Sequence, residues 1–281
     1  MDFLFKTLEN STIALTPNFH EDPDLVNDET LYKMIWVQEG TVKLRVDHIE
    51  MTLQANELLT LSPSHLLEIT NVDGEYLTYV FSRNFYNVLE HEEEIPCVNF
   101  LFFGVSDAVR LVPSEEKKER MLEILRLSCR ESGMKDRYEE EMLRGLLKMF
   151  LIYCVRLLKE KFQVTTFSEK DFEVVGRFYW QAELNYKKIH VLKEYRPLVN
   201  CTCSAMMTIF PRFGLSAPKS VLRERIVTEA KRMLIRTNKD VDYISSHLGF
   251  KDSHLFCLFF SNMTRENYFS YRKRENPNWG E

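Results

Sequence analysis

The chain has 281 residues, of which 44% are hydrophobic and 28% charged, a composition typical of a globular protein with room for two cores. No uncharged apolar run approaches the roughly 20 residues that a membrane-spanning helix needs, and the amino terminus lacks the basic and apolar regions of a secretory signal. Six scattered cysteines without an export signal predict free thiols in a reducing cytoplasm.

The formal net charge of −5 averages two opposite parts of the chain. Residues 1–180 carry 20 Lys and Arg against 32 Asp and Glu, whereas residues 181–281 carry 17 against 10. The carboxyl-terminal part therefore has a net charge of +7, which favours a polyanion as its partner.

The first 110 or so residues predict an antiparallel β domain. Alternating apolar residues over 31–47 and 66–82 are interrupted by Glu39-Gly40 and Asp73-Gly74, which we interpret as turns between strands. Residues 48–63 predict two more strands on either side of a turn at Ala55–Glu57. Short strands at this spacing are typical of a small barrel or sandwich.

From Ser114 the apolar spacing becomes helical, and two helices are predicted over 115–131 and 137–162. The second is apolar around much of its circumference beyond Met142, so we expect it to pack on the first helix and across a dimer. Residues 163–168 predict a linker that ends in Ser168, the N-cap of the next helix.

Residues 168–275 predict short helices arranged as two helix–turn–helix units, at 190–214 and 241–263. The turn of the first unit is Asn200–Cys203, and in the second unit Gly249 is predicted to be left-handed, with Asp252 or Ser253 capping the next helix. The predicted apolar faces comprise Val191, Tyr195, Leu198, Val199, Met206, Ile209, Phe210 and Phe213 in the first unit and Val241, Ile244 and Leu248 in the second.

One helix over 220–236 connects the two units. Its 17 or so residues span ~25 Å, enough to hold two recognition helices near the ~34 Å of one DNA turn, in successive major grooves.

This carboxyl-terminal third resembles the DNA-binding domain of the AraC/XylS family of bacterial transcription regulators. The residues that carry the resemblance are Gly214, Pro218, Arg225, Ile226, Glu229–Leu234, Ile244, Leu248–Phe250, Asp252, Phe256, Phe259, Phe260, Tyr271 and Arg272. More loosely, the amino-terminal part resembles the cupin-like domain and dimerisation helices that such regulators often carry. The resemblance implies an α+β protein with a cupin-like antiparallel β-barrel and helical dimerisation pair over 1–162 and an all-α double helix–turn–helix domain over 168–275.

The implied function is that of a sequence-specific transcription regulator, a homodimer that binds double-stranded promoter DNA with two recognition helices per subunit. A small-molecule effector and RNA polymerase are candidate further partners, and no membrane partner, cofactor, metal or catalytic residue is predicted.

The candidate DNA-binding residues divide into two groups. The first group consists of polar residues on the outward sides of the two recognition helices: Ser204, Thr208, Ser253 and His254. Lys251 and Cys257 are also predicted to face outward in the second unit, whereas Phe256, Phe259 and Phe260 would face the core. The cations that would contact phosphates are Arg212, Lys219, Arg223, Arg236, Lys251 and Arg265.

Both recognition helices depart from the family pattern. Leu258, Ser261 and Asn262 stand where basic residues are usual, and Pro211 predicts that the first recognition helix ends early or kinks. Neither helix has an arginine near its middle, the residue that most often contacts guanine. Readout of bases would then depend on thymine methyl groups, on DNA shape or on a dimer that doubles a weak half-site.

Three alternatives stay open at this point. The chain could be a degenerate AraC-like protein that binds other proteins, an idea that Met206, Met207, Leu258 and Phe259 keep alive. An oxygenase or isomerase of the cupin type would need metal ligands inside the barrel, but His20, His48, His65 and His91 form no H-x-H pattern. A third idea, an effector pocket in the β domain, rests on residues that also suit a plain core: Tyr32, Met34, Trp36, Leu44, Tyr79 and Phe81.

Overall fold

A computed structural model of the protein describes residues 1–7, 9–47, 49–103, 109–163 and 168–276. Its contacts divide the chain into two units, Met1–Gly176 and Arg177–Glu281. All the strands among the described residues lie in the first unit, and the second is helical, so the predicted α+β class is confirmed.

Seven strands form one antiparallel sheet in the first unit: β1 (Phe3–Lys6), β2 (Thr12–Thr16), β3 (Leu31–Val46), β4 (Ile49–Gln54), β5 (Leu58–Leu61), β6 (Leu67–Ser82) and β7 (Val109–Leu111). Their order is β1-β2-β6-β3-β5-β7, with β4 paired to β3. Two short helices, α1 (Pro23–Asn27) and α2 (Val98–Phe103), interrupt the strands. The turn predicted at Ala55–Glu57 is confirmed, because Asn56 has a positive φ of 66° between β4 and β5.

The turns predicted at Glu39-Gly40 and Asp73-Gly74 are wrong, because both pairs lie inside 16-residue strands. Gly40 and Gly74 face each other where β3 pairs with β6, with φ of +71° and +131°. A Cβ on Gly40 would lie 2.0 Å from the carbonyl oxygen of Asp73, and one on Gly74 would lie 2.1 Å from that of Glu39. The glycines thus allow two long strands to approach each other closely at one point, which we call the glycine crossing.

A shift in pairing register between Val37 and Glu39 changes which side chains of β3 face the core. Before the shift the core receives odd-numbered residues such as Leu31 and Ile35, and after it even-numbered residues such as Val42 and Leu44. Both halves of β3 therefore contribute to this one cluster. Pairing among the described strands leaves the sheet open rather than closing it into a ring.

The other face of the sheet packs against helices of the same unit. The two predicted helices are confirmed as α3 (Glu115–Glu131) and α4 (Glu139–Lys161), which pack on each other. Phe150 of α4 makes edge contacts with Trp36 and Tyr79, at ring-centroid distances of 6.3 and 5.4 Å. A large part of α4 is therefore used for the core of its own subunit.

One face of α4 stays exposed although it is apolar. Met142, Met149 and Ile152 are 51%, 49% and 37% exposed, and Gly145 lies among them. The spacings of three, four and three residues along this set are those of the contact positions in a coiled coil. We call these four residues the α4 seam.

The remaining helices are α5 (Glu169–Asn185), which crosses the division between the units, α6 (Tyr195–Val199), α7 (Cys203–Arg212), α8 (Pro218–Arg236), α9 (Val241–His247), α10 (Ser253–Thr264) and α11 (Tyr268–Glu275). Helix α5 begins directly after Ser168, the predicted cap. Residues 164–167 of the predicted linker lie outside the described residues, and the predicted domain limits at 162 and 168 stay a prediction.

Two apolar clusters support the second unit. The ring of Phe210 on α7 meets Phe178 edge to face and Tyr179 nearly parallel, and Phe178 also contacts Tyr195 at a tilt. The other cluster joins α8, α9, α10 and α11, and its fully buried members include Ile244, Leu248, Phe256 and Phe260. Each predicted helix–turn–helix unit therefore has a core of its own.

Within the described residues no helix combines the length and the apolar character needed to cross a membrane. All six cysteines are described, and each is a free thiol.

Candidate nucleic-acid interface

The first helix–turn–helix unit is formed by α6 and α7. Asn200 ends α6 in a left-handed conformation with φ of 53°, and its N–H donates to the carbonyl of Arg196. The hydroxyl oxygen of Thr202 then accepts a hydrogen bond from the N–H of Ala205 at 3.1 Å, which caps α7. The turn is the one that the sequence predicts.

Part of the predicted apolar face in this unit is wrong. Residues Leu192–Glu194 form a short 3₁₀ turn and α6 begins only at Tyr195, so Val191 lies before the helix and is 54% exposed. Leu198 is also exposed, whereas Tyr195 and Val199 are buried as predicted.

The second unit is formed by α9 and α10. Gly249 has φ of +78°, and a Cβ at this position would lie 2.0 Å from the carbonyl oxygen of Lys187, so the predicted left-handed glycine is confirmed. Of the two candidate caps it is Asp252 that accepts from the N–H of Leu255, at 2.8 Å. Helix α10 therefore begins at Ser253.

Helix α7 separates a buried side from an exposed one. Met206, Ile209 and Phe210 are buried, whereas Ser204, Met207, Thr208 and Arg212 are exposed. The hydroxyl of Thr208 donates to the carbonyl of Ser204 at 3.1 Å, so it can offer a base mainly an acceptor. The helix ends at Arg212, one residue after Pro211, in agreement with the predicted early end.

Helix α10 has a similar division. Phe256 and Phe260 are buried as predicted, and Phe259 is half-buried. Cys257 is not outward as predicted but half-buried, because it packs against the cluster that holds Phe256 and Phe260. Its exposed residues are His254, Leu255, Leu258 and Asn262.

Sequence reasoning did not select Leu255 or Asn262 as site residues. The spacing of four residues between His254, Leu258 and Asn262 could have placed all three on one exposed face. Asn262 is of interest because an Asn side chain can bind the N6 and N7 edge of adenine.

The candidate cations are exposed, though not on one face. Lys219 and Arg223 lie one turn apart on α8, whereas Arg236 lies at its far end and roughly 140° around the helix at 3.6 residues per turn. Lys251 lies just before α10, and Arg265 ends that helix with φ of 63°. Of the ten candidate residues nine are exposed, and Ser253 is half-buried. The 19 residues of α8 give it a length of ~28 Å.

A buried group of charges fixes α8 to the second half of α5. Arg225 donates to both carboxylate oxygens of Glu183, and Arg225 and Arg232 both contact the carboxylate of Glu229. Burial alone would raise the pKa of Glu229, but the hydrogen bond from Arg232 and the charge of Arg225 lower that pKa to about 2. Burial alone would likewise lower the pKa of Arg225, and the neighbouring Glu183 carboxylate raises it. Arg225 is therefore part of the scaffold rather than of the exposed surface.

The far end of α8 is held by Arg272 of α11. This buried guanidinium donates to the carbonyl oxygens of Leu234 at 3.1 Å and Lys239 at 2.6 Å, and also to that of Thr237. Carbonyls at a helix end lack partners within the helix, so Arg272 satisfies them and fixes the approach to α9.

Among the described residues of the first unit, the histidines do not come together as a metal site. His20 bonds to the hydroxyl of Tyr76, His65 to Asp47 and His91 to Glu94, while His48 lies outside the described residues. No group of three His, Cys, Asp or Glu side chains with metal-binding geometry occurs in the described ranges.

The residues considered for an effector pocket are fully buried. Tyr32 stacks on Phe81 at 4.9 Å and contacts the edge of Phe102 at the same distance, which fits the plain-core interpretation. A separate cavity of about 500 Å³ lies where His20, Gln38, Glu75 and Tyr76 meet.

No family model matches the chain, and no curated protein matches it. Similar solved structures include ToxT from Vibrio cholerae strain SCE256 with a bound unsaturated fatty acid, at 13% identity, with 89% of each chain covered and a TM-score of 0.42. A P21 crystal form of Vibrio cholerae ToxT has 11% identity, 97% of this chain and 96% of that chain covered, and a TM-score of 0.41. The AraC-like transcriptional activator CuxR has 10% identity, 78% and 73% covered, and a TM-score of 0.32. At such low identities and TM-scores, the roles of individual residues are argued from this chain's own sequence and structure.

Proposed function

We propose that this chain is a sequence-specific DNA-binding transcription regulator of the AraC type that binds promoter DNA with α7 and α10. The observation that supports it is the pair of capped helices, each with a buried apolar side and an exposed side, placed by α8 in the basic part of the chain. A helix of this kind fits the DNA major groove, and two on one subunit could enter successive grooves.

The exposed residues have separate roles in this proposal. Arg212, Lys219, Arg223, Arg236, Lys251 and Arg265 bind phosphates and supply affinity that does not depend on sequence. Ser204, Thr208, Ser253 and His254 reach base edges or nearby phosphates from the exposed sides of the two helices. No residue has a catalytic role.

The proposal includes a homodimer in the cytoplasm. The α4 seam is exposed, apolar and spaced like a coiled-coil contact, which supports pairing between two subunits. RNA polymerase and a small-molecule effector remain candidate partners in this proposal.

The test is a binding titration of the full chain with the DNA upstream of its own coding region and with unrelated DNA, at two salt concentrations. We expect tighter binding to the upstream DNA and a loss of affinity as salt rises. Arg212→Ala should weaken both DNAs alike and reduce the salt slope by about 1, whereas Thr208→Ala and His254→Ala should reduce the difference between the two DNAs.

Lys188→Ala, which removes an exposed cation outside both recognition helices, is the matched control and should change neither quantity. Absence of binding at low salt, even for the dimer, would contradict the proposal.

That result would favour the second candidate, a degenerate AraC-like protein that acts through protein–protein contacts. The exposed Met207 and Leu258 on the outward faces of α7 and α10 keep this candidate open.

A further inference from the structure

The exposed side of each recognition helix has an apolar side chain near its middle. On α7 this is Met207, which is 48% exposed. On α10 two such residues lie less than one turn apart, Leu255 at 43% and Leu258 at 50% exposure.

These side chains do not contribute to the buried side of their helices. That side of α7 is occupied by Met206, Ile209 and Phe210, and that of α10 by Phe256 and Phe260. Exposed leucines are common on proteins, but here they occupy the positions of two helices at which a base-reading residue is expected.

Both helices carry little charge along their length. Helix α10 contains no Lys, Arg, Asp or Glu, while Lys251 and its cap Asp252 precede it and Arg265 follows it. Helix α7 has only Arg212, at its end. Cations at the ends can meet phosphates, and little charge has to be desolvated in the middle when the helix enters a groove.

Only one base presents an apolar group in the major groove, because thymine carries a methyl group at C5. A cytosine amino group or a guanine oxygen opposite Leu258 would lose its water without gaining a hydrogen bond. Asn262, one turn after Leu258 on the same exposed face, suits the adenine edge.

We propose that Met207 on α7 and Leu255 and Leu258 on α10 recognise thymine methyl groups, so that each half-site is centred on A·T pairs. This inference rests on the proposed function and specifies its base preference.

The test replaces thymine by deoxyuridine, position by position, in a DNA that the full chain binds specifically. Deoxyuridine pairs with adenine as thymine does and lacks only the methyl group. We expect affinity to fall about 4-fold for each contacted methyl, the effect of removing one buried carbon from an apolar contact.

Variants then assign the contacts. Leu258→Ala and Met207→Ala should each abolish the difference between thymine and deoxyuridine at their own positions. Leu198→Ala is the control, since Leu198 is an exposed leucine on α6, outside both recognition helices, and its variant should keep the difference. All three side chains are exposed, so thermal unfolding should change little.

Outcomes for the two proposals can be separated. Specific binding that is equally strong for thymine and deoxyuridine DNA would overturn the methyl contact and leave the proposed function standing. Specific binding lost in Leu258→Ala without any thymine preference in the parent chain would also overturn it, and would show that Leu258 supports DNA binding in another way. Failure to bind any DNA would remove the proposed function together with the inference.

Discussion

Gly214 and Gly249 have similar φ, 65° and 78°, but different surroundings. Nothing lies within 4 Å of a Cβ built on Gly214, whereas one built on Gly249 would lie 2.0 Å from a backbone oxygen. The pair therefore separates the cost of left-handed backbone from the cost of a steric clash.

We predict that Gly249→Ala lowers the free energy of unfolding by about 3 kcal/mol or more, and Gly214→Ala by only about 1 kcal/mol. The larger loss arises because the carbonyl of Lys187 has to move to admit a side chain. Urea unfolding followed by circular dichroism measures both, and equal losses would contradict this account.

At this scale the sequence predicts a conformation better than an orientation. A glycine after a helical run predicts the left-handed residue at 249, since that depends on neighbours in sequence. The prediction for Cys257 is wrong because the side of α10 that is buried is set by its packing against α8 and α9, and neighbouring positions on a helix point 100° apart.

At the scale of elements, α8 is the support of the second unit. Its buried Glu229 is ionised between Arg225 and Arg232, and its last carbonyls accept from Arg272. Arg225 is directed inward, although the sequence alone presents α8 as a strongly basic helix.

We predict that protonation of Glu229 lowers the free energy of unfolding in acid. Its pKa is about 2 in the folded chain and about 4.5 ordinarily, so its contribution is complete above pH ~4.5 and is lost as the pH falls toward 2. Glu229→Gln should remove this part of the pH dependence and cost about 3–5 kcal/mol near neutral pH, because Arg225 and Arg232 each lose the ion pair with this buried carboxylate.

The control is Asp242→Asn, a change at an exposed carboxylate on α9. The free energy of unfolding is measured from pH 7 to pH 2 for the three chains. An unchanged pH profile in Glu229→Gln would refute the assignment.

Helices were predicted more accurately than strands for a physical reason. An amphipathic helix shows in the sequence as apolar residues three and four positions apart. Helices α3, α4, α7 and α10 could therefore be located from local spacing. Asp73-Gly74 can form either a hairpin turn or part of a continuous strand. The strand continues here because Gly74 pairs with Gly40, which lies 34 positions earlier in the sequence. No local pattern contains that information.

At the scale of the whole molecule, the opposite charges of the two parts of the chain were visible in the sequence and limit the choice of partner. The base preference of the proposed DNA partner was not visible, because it depends on which few side chains would reach the groove. Spacing alone can group Leu258 with His254, but the packing of α7 and α10 is needed to show that Met207, Leu255 and Leu258 lie on exposed sides.

We predict a homodimer through the α4 seam. Met149→Glu and Ile152→Glu should each shift the chain toward monomer, since a carboxylate placed in an apolar contact loses its hydration without a partner. Analytical ultracentrifugation over a concentration series measures the change. Val112→Glu, at an exposed apolar residue before α3, is the control and should leave the dimer intact.

A parent chain that stays monomeric at every concentration would contradict this prediction. A dimer that is unaffected by both seam variants would place the contact on a different surface.

The glycine crossing has a consequence for how the β domain finds its correct alignment. Antiparallel strands of 16 residues offer many offsets, and a slip by one would exchange the two faces of each strand. Only one offset pairs Gly40 with Gly74, at the point where a side chain on either residue would meet a peptide oxygen of the other strand. The glycine crossing thus favours a single pairing register for the two longest strands.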